Sequence, residues 1–297
     1  MLTIAAPEEL RALVRDRAKA GARVGFVPTM GYLHEGHLAL VAEAQRQADV
    51  VVMSIFVNPL QFGPTEDFAS YPRDPGRDTQ RAQQAGVDLL WMPAREQMYP
   101  ASPAVTVAPG PVGAILEGAV RPGHFAGVLT VVSKLFAIVD PDVAVFGRKD
   151  AQQAALVRMM IRDLSLRVRL IVAPTVRAHD GLALSSRNIY LTTEQRAQAL
   201  ALPRALAAGV EAFRSGERAA GTVIAAAWRV LGAEPALTTE YINVIDADAF
   251  LPSHAATAAS FLAAAVRLGG PAGRRLIDNV VLGQGVEADP RLPGAAA

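Results

Sequence analysis

From Val24 to Val41 the chain carries the stretch that most restricts its fold. Val24 to Val27 is a short apolar run that reads as a buried strand, and Pro28 breaks it. A polar turn follows with Gly31 and Gly36, and from Leu38 the apolar positions return at helical spacing. Strand, glycine-bearing turn and helix, in that order, put backbone N–H groups and a helix N-terminus at the carboxyl end of a strand. Open α/β sheets bind phosphates at that place. His34 and His37 are three apart, so they share a face if the first helical turn includes both. An ordinary strand–helix connection with two surface histidines is the plainer reading. Pro28-Thr29-Met30-Gly31 ahead of the pair and Gly36 inside it weigh against that.

The rest of the first half repeats the pattern. Residues 8–20 alternate charged and apolar positions at helical spacing, and Asp49 to Val57 is a near-continuous apolar run, the mark of a buried parallel strand. That strand ends in Asn58-Pro59-Leu60-Gln61-Phe62-Gly63-Pro64, a turn-rich segment. Arg77 to Ala85 reads as helix, Val87 to Met92 as strand, and Thr106 to Glu117 as irregular. Phe125 to Val139 is a strongly apolar helix, and Asp142 to Phe146 is a strand leading into Gly147-Arg148-Lys149-Asp150 and a further helix. Leu166 to Val172 is the last strand of the series. Such alternation predicts an α/β fold, a doubly wound parallel sheet (Rossmann-like), with its strand-to-helix turns along one edge.

After Val176 the pattern changes. Thr193 to Ser215 and Ala219 to Leu231 are alanine-rich helices, followed by strand-like Glu240 to Asp246, Ser260 to Leu268 and Arg274 to Val281. Helices followed by consecutive strands predict a smaller C-terminal α+β domain. The expected boundaries are 1–176, 177–285 and a disordered tail at 286–297. No internal repeat is present, and no Gly-x-Gly-x-x-Gly opens a helix, which weakens a dinucleotide reading.

Composition narrows the function. With 297 residues, 51% of them hydrophobic, the chain can bury a large core. A net charge of +1 leaves no basic footprint for nucleic acid. Absence of cysteine excludes disulfides and thiol catalysis, and any zinc site would lack thiolates. No hydrophobic signal segment accompanies Glu8, Glu9 and Arg11, and runs such as Phe261 to Val266 are too short to span a membrane. A soluble cytoplasmic protein is the expectation. Lysine is scarce (Lys19, Lys134, Lys149), which singles out Lys149.

Four polar constellations fall at predicted strand ends or loops: His34 with His37, Asn58 with Gln61, Lys149 and Asp150 with Gln153, and Ser185-Ser186-Arg187-Asn188. Each has a bland counterpart. Asn58 beside a proline is a common turn former, Lys149-Asp150 can cap a helix, and Ser-Ser-Arg-Asn is an ordinary polar turn. The expected topology could gather all four at one crevice. Cations and amide donors without a candidate nucleophile suit transfer chemistry on a phosphate, which works by positioning and electrostatics. The histidines could instead ligate a metal, but no third ligand lies at useful spacing, so metal ligands stay unassigned.

His34-Glu35-Gly36-His37 resembles the His-x-Gly-His signature of nucleotidylyltransferases and class I aminoacyl-tRNA synthetases. The fuller set is similar to the pantothenate synthetase family (pantoate–β-alanine ligases, AMP-forming): Pro28 to His37, Ser54 to Phe62, Tyr71-Pro72-Arg73, Arg121-Pro122-Gly123-His124-Phe125, Phe146 to Gln153 and Ser185 to Asn188. These occur in the family's order, and the resemblance runs from about residue 3 to 285. It implies ATP as substrate, Mg2+, a pantoyl-adenylate intermediate, and a homodimer with pantoate and β-alanine as small-molecule partners. Carried over by position, Met30, Gly31, Tyr32, Leu33, His34, Glu35, Gly36 and His37 would hold ATP, with His37 at the phosphates. Gln61 and Gln153 would grip pantoate, supported by Asn58. Gly147, Arg148, Lys149 and Asp150 would meet adenine and ribose, with Lys149 also near the phosphates. Val176 would contact adenine through its backbone, and Leu184, Ser185, Ser186 and Arg187 would form a mobile phosphate loop. The C-terminal unit would act as a lid.

Two positions depart from the family. Leu184 stands where methionine is usual and is nearly isosteric with it. Arg148 stands where an acidic residue is frequent, adding a cation beside Lys149. The rivals are another adenylyl- or cytidylyltransferase on the same fold, and a nucleic-acid-binding relative without catalysis. Uncharged amides at 58, 61 and 153 suit a hydroxy-acid better than a nucleotide monophosphate, and the near-zero charge opposes the second rival.

Overall fold

The structure is a computed structural model that describes residues 1–64, 66–101, 103–270 and 273–286. The tail expected from 286 lies, beyond Val286, outside the described residues. Two compact units are present: Met1–Arg148 with Gln152–Pro174, and Lys149–Ala151 with the residues from Thr175 on.

The first unit runs β1 (Leu2–Ile4), α1 (Pro7–Lys19), β2 (Val24–Thr29), α2 (Glu35–Gln47), β3 (Val50–Ile55), α3 (Pro75–Gln84) and β4 (Leu89–Trp91). It continues through two single turns of helix, α4 (Arg95–Met98) and α5 (Glu117–Val120), then α6 (His124–Val139), β5 (Val143–Gly147), α7 (Ala151–Asp163) and β6 (Arg169–Ala173). The six strands lie in the order β1-β4-β3-β2-β5-β6, and all pairs are parallel. From β2 the chain moves outward through β3 to β4, then returns through α6 to lay β5 on the other side of β2. The order therefore reverses between β2 and β5, and the carboxyl ends of those two strands form the topological switch point where such sheets bind ligands.

Side-chain alternation shows why helices cover both faces. In β3, Val50 and Val52 join a core with Leu10, Val14 and Phe136. Val51 and Met53 point the other way, into a core with Leu40, Val41 and Ala44. A strand buried on both sides needs the continuous apolar run that Asp49 to Val57 displays.

The second unit contains α8 (Thr193–Ala199), α9 (Ala201–Arg214), α10 (Ala220–Gly232) and the strands β7 (Leu237–Ile245), β8 (Phe261–Leu268) and β9 (Arg274–Val281). The strands form an antiparallel sheet in the order β7-β8-β9, with the helices contributing to one core against it. The single helix expected over Thr193 to Ser215 is two, separated at Leu200. Pro203 accounts for this: it has no N–H to give, and its ring collides with the carbonyl four residues earlier, so a new helix must start just ahead of it. Among the described residues, no helix is long and apolar enough to cross a membrane.

Candidate active site

The turn after β2 is shaped by groups far away in sequence. Thr29 Oγ1 donates to Ser54 O (2.8 Å) and accepts from Gly31 N–H (3.2 Å). Gly31 (φ +84°) and Tyr32 (φ +48°) are both left-handed. Tyr32 bears the steric penalty of that region for a residue with a Cβ, and Asp78 of α3 compensates. Its Oδ2 accepts from Tyr32 N–H and its Oδ1 from Leu33 N–H, each at 2.7 Å. A Cβ on Gly31 would sit 2.9 Å from Asp78 Oδ2, so this approach requires glycine. Two more residues of α3 reach the same turn: the Arg77 guanidinium lies 4.7 Å from the Tyr32 ring centroid, and Arg81 pairs with Glu35. Burial pushes the Asp78 carboxyl above its ordinary value, outweighing the two N–H bonds that favour its charge.

The first helical turn does not include both histidines. His34 is extended (φ −137°) and caps α2, while His37 lies inside it. Gly36 N–H donates to His34 Nδ1 (3.1 Å), and His34 N–H donates to His37 Nδ1 (3.2 Å), a capping box built from imidazoles. Their ring centroids are 4.0 Å apart. Because each Nδ1 accepts a backbone proton, each neutral ring carries its own proton on Nε2. Two Nε2–H donors at a helix N-terminus suit an anion.

Asn58 is buried and fully engaged. Its Oδ1 accepts from Leu60 N–H (3.3 Å) and from the Tyr99 hydroxyl (3.0 Å), and its Nδ2 donates to Gln61 Oε1 (3.0 Å) and Gly127 O (3.1 Å). Burial pushes the Tyr99 phenol up to about 12, so it stays protonated as the donor. Asn58 thus forms the turn and orients Gln61. With its oxygen taken, Gln61 presents its NH2 group, which lies 3.2 Å from Met30 Sδ. The neighbouring glutamines of α7 differ. Gln152 is committed to the scaffold, accepting from Glu117 N–H (3.0 Å) and donating to Val112 O and Ile115 O. Gln153 is half-buried, as are Gly147 at the end of β5 and Arg148 after it.

In the second unit, Lys149 Nζ lies 3.8 Å from Asp150 Oδ1, and Lys149 O accepts from Asn279 Nδ2 (2.9 Å). Val176 O accepts from Leu184 N–H (3.0 Å) at the mouth of a short hairpin. The hairpin turns at Ala178 to Gly181; past its return arm, Ser185 caps a short 3-10 turn, its Oγ accepting from Arg187 N–H (3.3 Å), Asn188 Nδ2 donates to Ala183 O (3.0 Å), and Ser186 is buried. At the hairpin's base, Arg177 makes a buried, bidentate pair with Asp278 of β9 (2.6 and 2.9 Å).

The family model for pantoate–β-alanine ligase matches residues 2–281. The chain belongs to the pantoate–β-alanine ligase family. A pantothenate synthetase from Moorella thermoacetica is 53% identical over 280 residues, covering 94% of this chain and 97% of that one. The crystal structure of pantothenate synthetase from Thermus thermophilus superposes with a TM-score of 0.89 at 47% identity, over 95% of this chain and 99% of that one. The ligase from Francisella tularensis, described as complexed with β,γ-ATP and β-alanine, has a TM-score of 0.79 at 30% identity, over 97% and 100% of the two chains. As a member of this ligase family the chain is an enzyme, one that joins pantoate to β-alanine.

Within the ligase's first unit, three pairs of the residues picked out from sequence are in contact: Met30 with Gln61, Gln61 with Asn58, and His34 with His37. Lys149, Asp150, Val176 and Leu184 to Arg187 belong to the second unit. Asp78 and Tyr99 were not singled out. Both carry polar atoms that turn inward from otherwise ordinary segments, and only the partners reveal them.

Proposed function

We propose that this ligase makes pantothenate in two steps at the expense of ATP. The pantoate carboxylate attacks the α-phosphorus of ATP, forming pantoyl adenylate and releasing pyrophosphate. The β-alanine amine then attacks the acyl carbon and releases AMP. The first step needs no general base, since a carboxylic acid with a pKa near ~4 is ionised at neutral pH. What it needs is stabilisation of charge on the phosphates, and the single observation that carries this reading is the imidazole capping box. It puts two imidazoles, whose Nδ1 atoms accept from the backbone, at the α2 N-terminus just after β2, beside the β2/β5 switch point.

Residue roles follow from the chemistry of each group. Met30 to His37 cradle ATP, with His37 and His34 donating to the phosphates. Gln61 offers an NH2 donor to an oxygen of pantoate, and Gln153 offers a second amide, with Asn58 behind them. Gly147 to Asp150 and the Val176 backbone are assigned to adenine and ribose. Lys149, Ser185, Ser186 and Arg187 are assigned to the phosphates, with Leu184 beside them.

Among the described residues, no group of three or more His, Asp or Glu could hold a metal ion. Mg2+ keeps waters and binds mainly through substrate phosphates with few carboxylates, so in this proposal it would come with ATP. Bound to the triphosphate, it would neutralise charge there. A homodimer in the cytoplasm completes the proposal, by analogy with the family.

Incubation with MgATP, pantoate and β-alanine tests the reading. AMP and pyrophosphate should appear only when pantoate is supplied. Release that depends on a nucleotide monophosphate or another acid instead would assign the chain to a different nucleotidyl transfer.

A further inference from the structure

Arg121-Pro122-Gly123-His124 has no part in the roles above, yet its side chains converge on Gln61. His124 opens α6 and is buried. Its Nδ1 lies 2.8 Å from Gln61 O, and a carbonyl can only accept, so Nδ1 carries the proton. Its Nε2 lies 3.1 Å from Arg121 Nη1, and a guanidinium can only donate, so Nε2 carries the lone pair. The two contacts together select one neutral tautomer. Burial, reinforced by the Arg121 charge, lowers the imidazole to about 4 and keeps it neutral.

Arg121 is itself held. Its Nε and Nη2 donate to Glu66 Oε1 (2.8 Å) and Oε2 (2.6 Å), a bidentate pair, and Nη2 also reaches Gln61 O (3.3 Å). α6 presses on the same turn through Gly127, where a Cβ would fall 2.1 Å from Leu60 O and 2.7 Å from Gln61 N. The Gln61 main chain is thus fixed from α6, while Asn58 fixes its side-chain amide.

We infer that His124, oriented by Arg121 and Glu66, is a positioning residue that sets the Gln61 amide for pantoate. This rests on the assignment of Gln61 to the pantoate subsite. His124 touches no reacting atom in this scheme. It removes the freedom of a backbone whose displacement by even an ångström would misplace the donor.

Steady-state kinetics and calorimetry on the full chain test this with three variants. His124→Phe removes the donor to Gln61 O, and the pantoate KM should rise about tenfold, the worth of one buried hydrogen bond, with the ATP KM unchanged. His124→Asn keeps an N–H donor close to the position of Nδ1 and should restore most of that loss. In a Gln61→Ala background, adding His124→Phe should change the pantoate KM by less than about twofold, since coupled residues are not additive. Multiplying effects, or equal rises in the pantoate and ATP KM, overturn the inference. If Gln61→Ala itself leaves the pantoate KM unchanged, the subsite assignment falls instead. Should His124→Phe fail to fold, Glu66→Gln, which weakens the hold on Arg121, must raise the pantoate KM selectively with the melting temperature preserved. A rise in neither KM refutes the relay.

Discussion

Two loops are assigned to the ATP phosphates, and they are held in opposite ways. In the Met30 to His37 turn the peptide groups themselves are pinned: Tyr32 and Leu33 N–H donate to a buried carboxylate, and Gly36 and His34 N–H donate to imidazoles. In the 177–188 segment the anchor is the hairpin that comes first, where Arg177 pairs with Asp278 and also reaches Gly181 O and Asn279 O. The bonds Arg187 N–H to Ser185 Oγ and Asn188 Nδ2 to Ala183 O, at the turn that follows, link residues two to five apart. The first arrangement preorganises donors before substrate arrives. The second anchors the hairpin that precedes Ser185 and shapes the following turn in part by local bonds, an arrangement proposed here to suit a segment that must release pyrophosphate before the amine enters.

The largest effect should come from the anchor of the second loop. Arg177→Met leaves Asp278 charged, buried and unpaired, at a cost of about 3–5 kcal/mol. Chemical denaturation should show that loss, and Arg177→Met with Asp278→Leu should recover much of it. A single variant as stable as the parent would mean that the hairpin base is not the anchor.

His37→Ala strikes the preorganised side. It removes one arm of the capping box and the donor proposed for the phosphates, and kcat for pantoate-dependent ATP–pyrophosphate exchange should fall by roughly 10²–10³-fold. Near-normal turnover at saturating substrates would take His37 out of the mechanism.

Asp78→Asn tests whether the clasp matters beyond the histidines. The amide keeps one acceptor and turns a donor toward the other N–H, so one bond is lost at about 1–3 kcal/mol, read as a higher ATP KM. A pH profile sharpens this. As pH falls through the raised pKa of Asp78, the carboxyl takes a proton and loses an acceptor, so kcat/KM for ATP should decline on the acid side. The asparagine variant should lack that limb. Linkage runs the other way: a raised folded-state pKa means the native state binds the proton more tightly, so this group's contribution to stability grows as pH falls through the same window. Activity and stability moving together would contradict the assignment.

The two loops were unequally legible from sequence. Strand, turn and helix follow in the expected order in the first, but β2 runs through Pro28 to Thr29, and α2 starts at Glu35 and takes in Gly36, so neither residue is the boundary expected of it. Alternation puts the strand-to-helix turns along one edge and does not fix the strand order, so the reversal between β2 and β5 needed the structure. The holder of the first loop could not be read, because Asp78 sits 46 residues from Tyr32 on what looks like a solvated helix face. Periodicity reports which face is apolar, and a polar residue turned inward to bind peptide N–H groups is invisible to it. The same limit hid the His34 cap, since a side chain accepting from the backbone two residues on leaves no periodic trace. The break at Leu200 was written in Pro203 but was overridden by the alanine-rich run around it. For the candidate site, residue types and order were recoverable, whereas the orientation of Gln61 needed the contacts of Asn58 and His124.

The smallest and most selective effect is expected in the turn that follows the hairpin, at Arg187. Arg187 can make bidentate contacts to phosphate oxygens in a fixed plane, and a lysine offers the charge without that geometry. Its backbone N–H, which donates to Ser185 Oγ, is untouched by the substitution, so the turn itself should persist in Arg187→Lys. A loop that grips phosphate only while pyrophosphate is present should matter in the first half-reaction and not in the second. Arg187→Lys should therefore slow pantoate-dependent ATP–pyrophosphate exchange severalfold, about 1 kcal/mol of transition-state stabilisation. Given pre-formed pantoyl adenylate and β-alanine, it should make pantothenate at close to the parent rate. Equal losses in both half-reactions would show that the Ser185 to Asn188 turn shapes the whole site as rigidly as the first loop does, and the contrast between a preorganised and a transient phosphate grip would collapse.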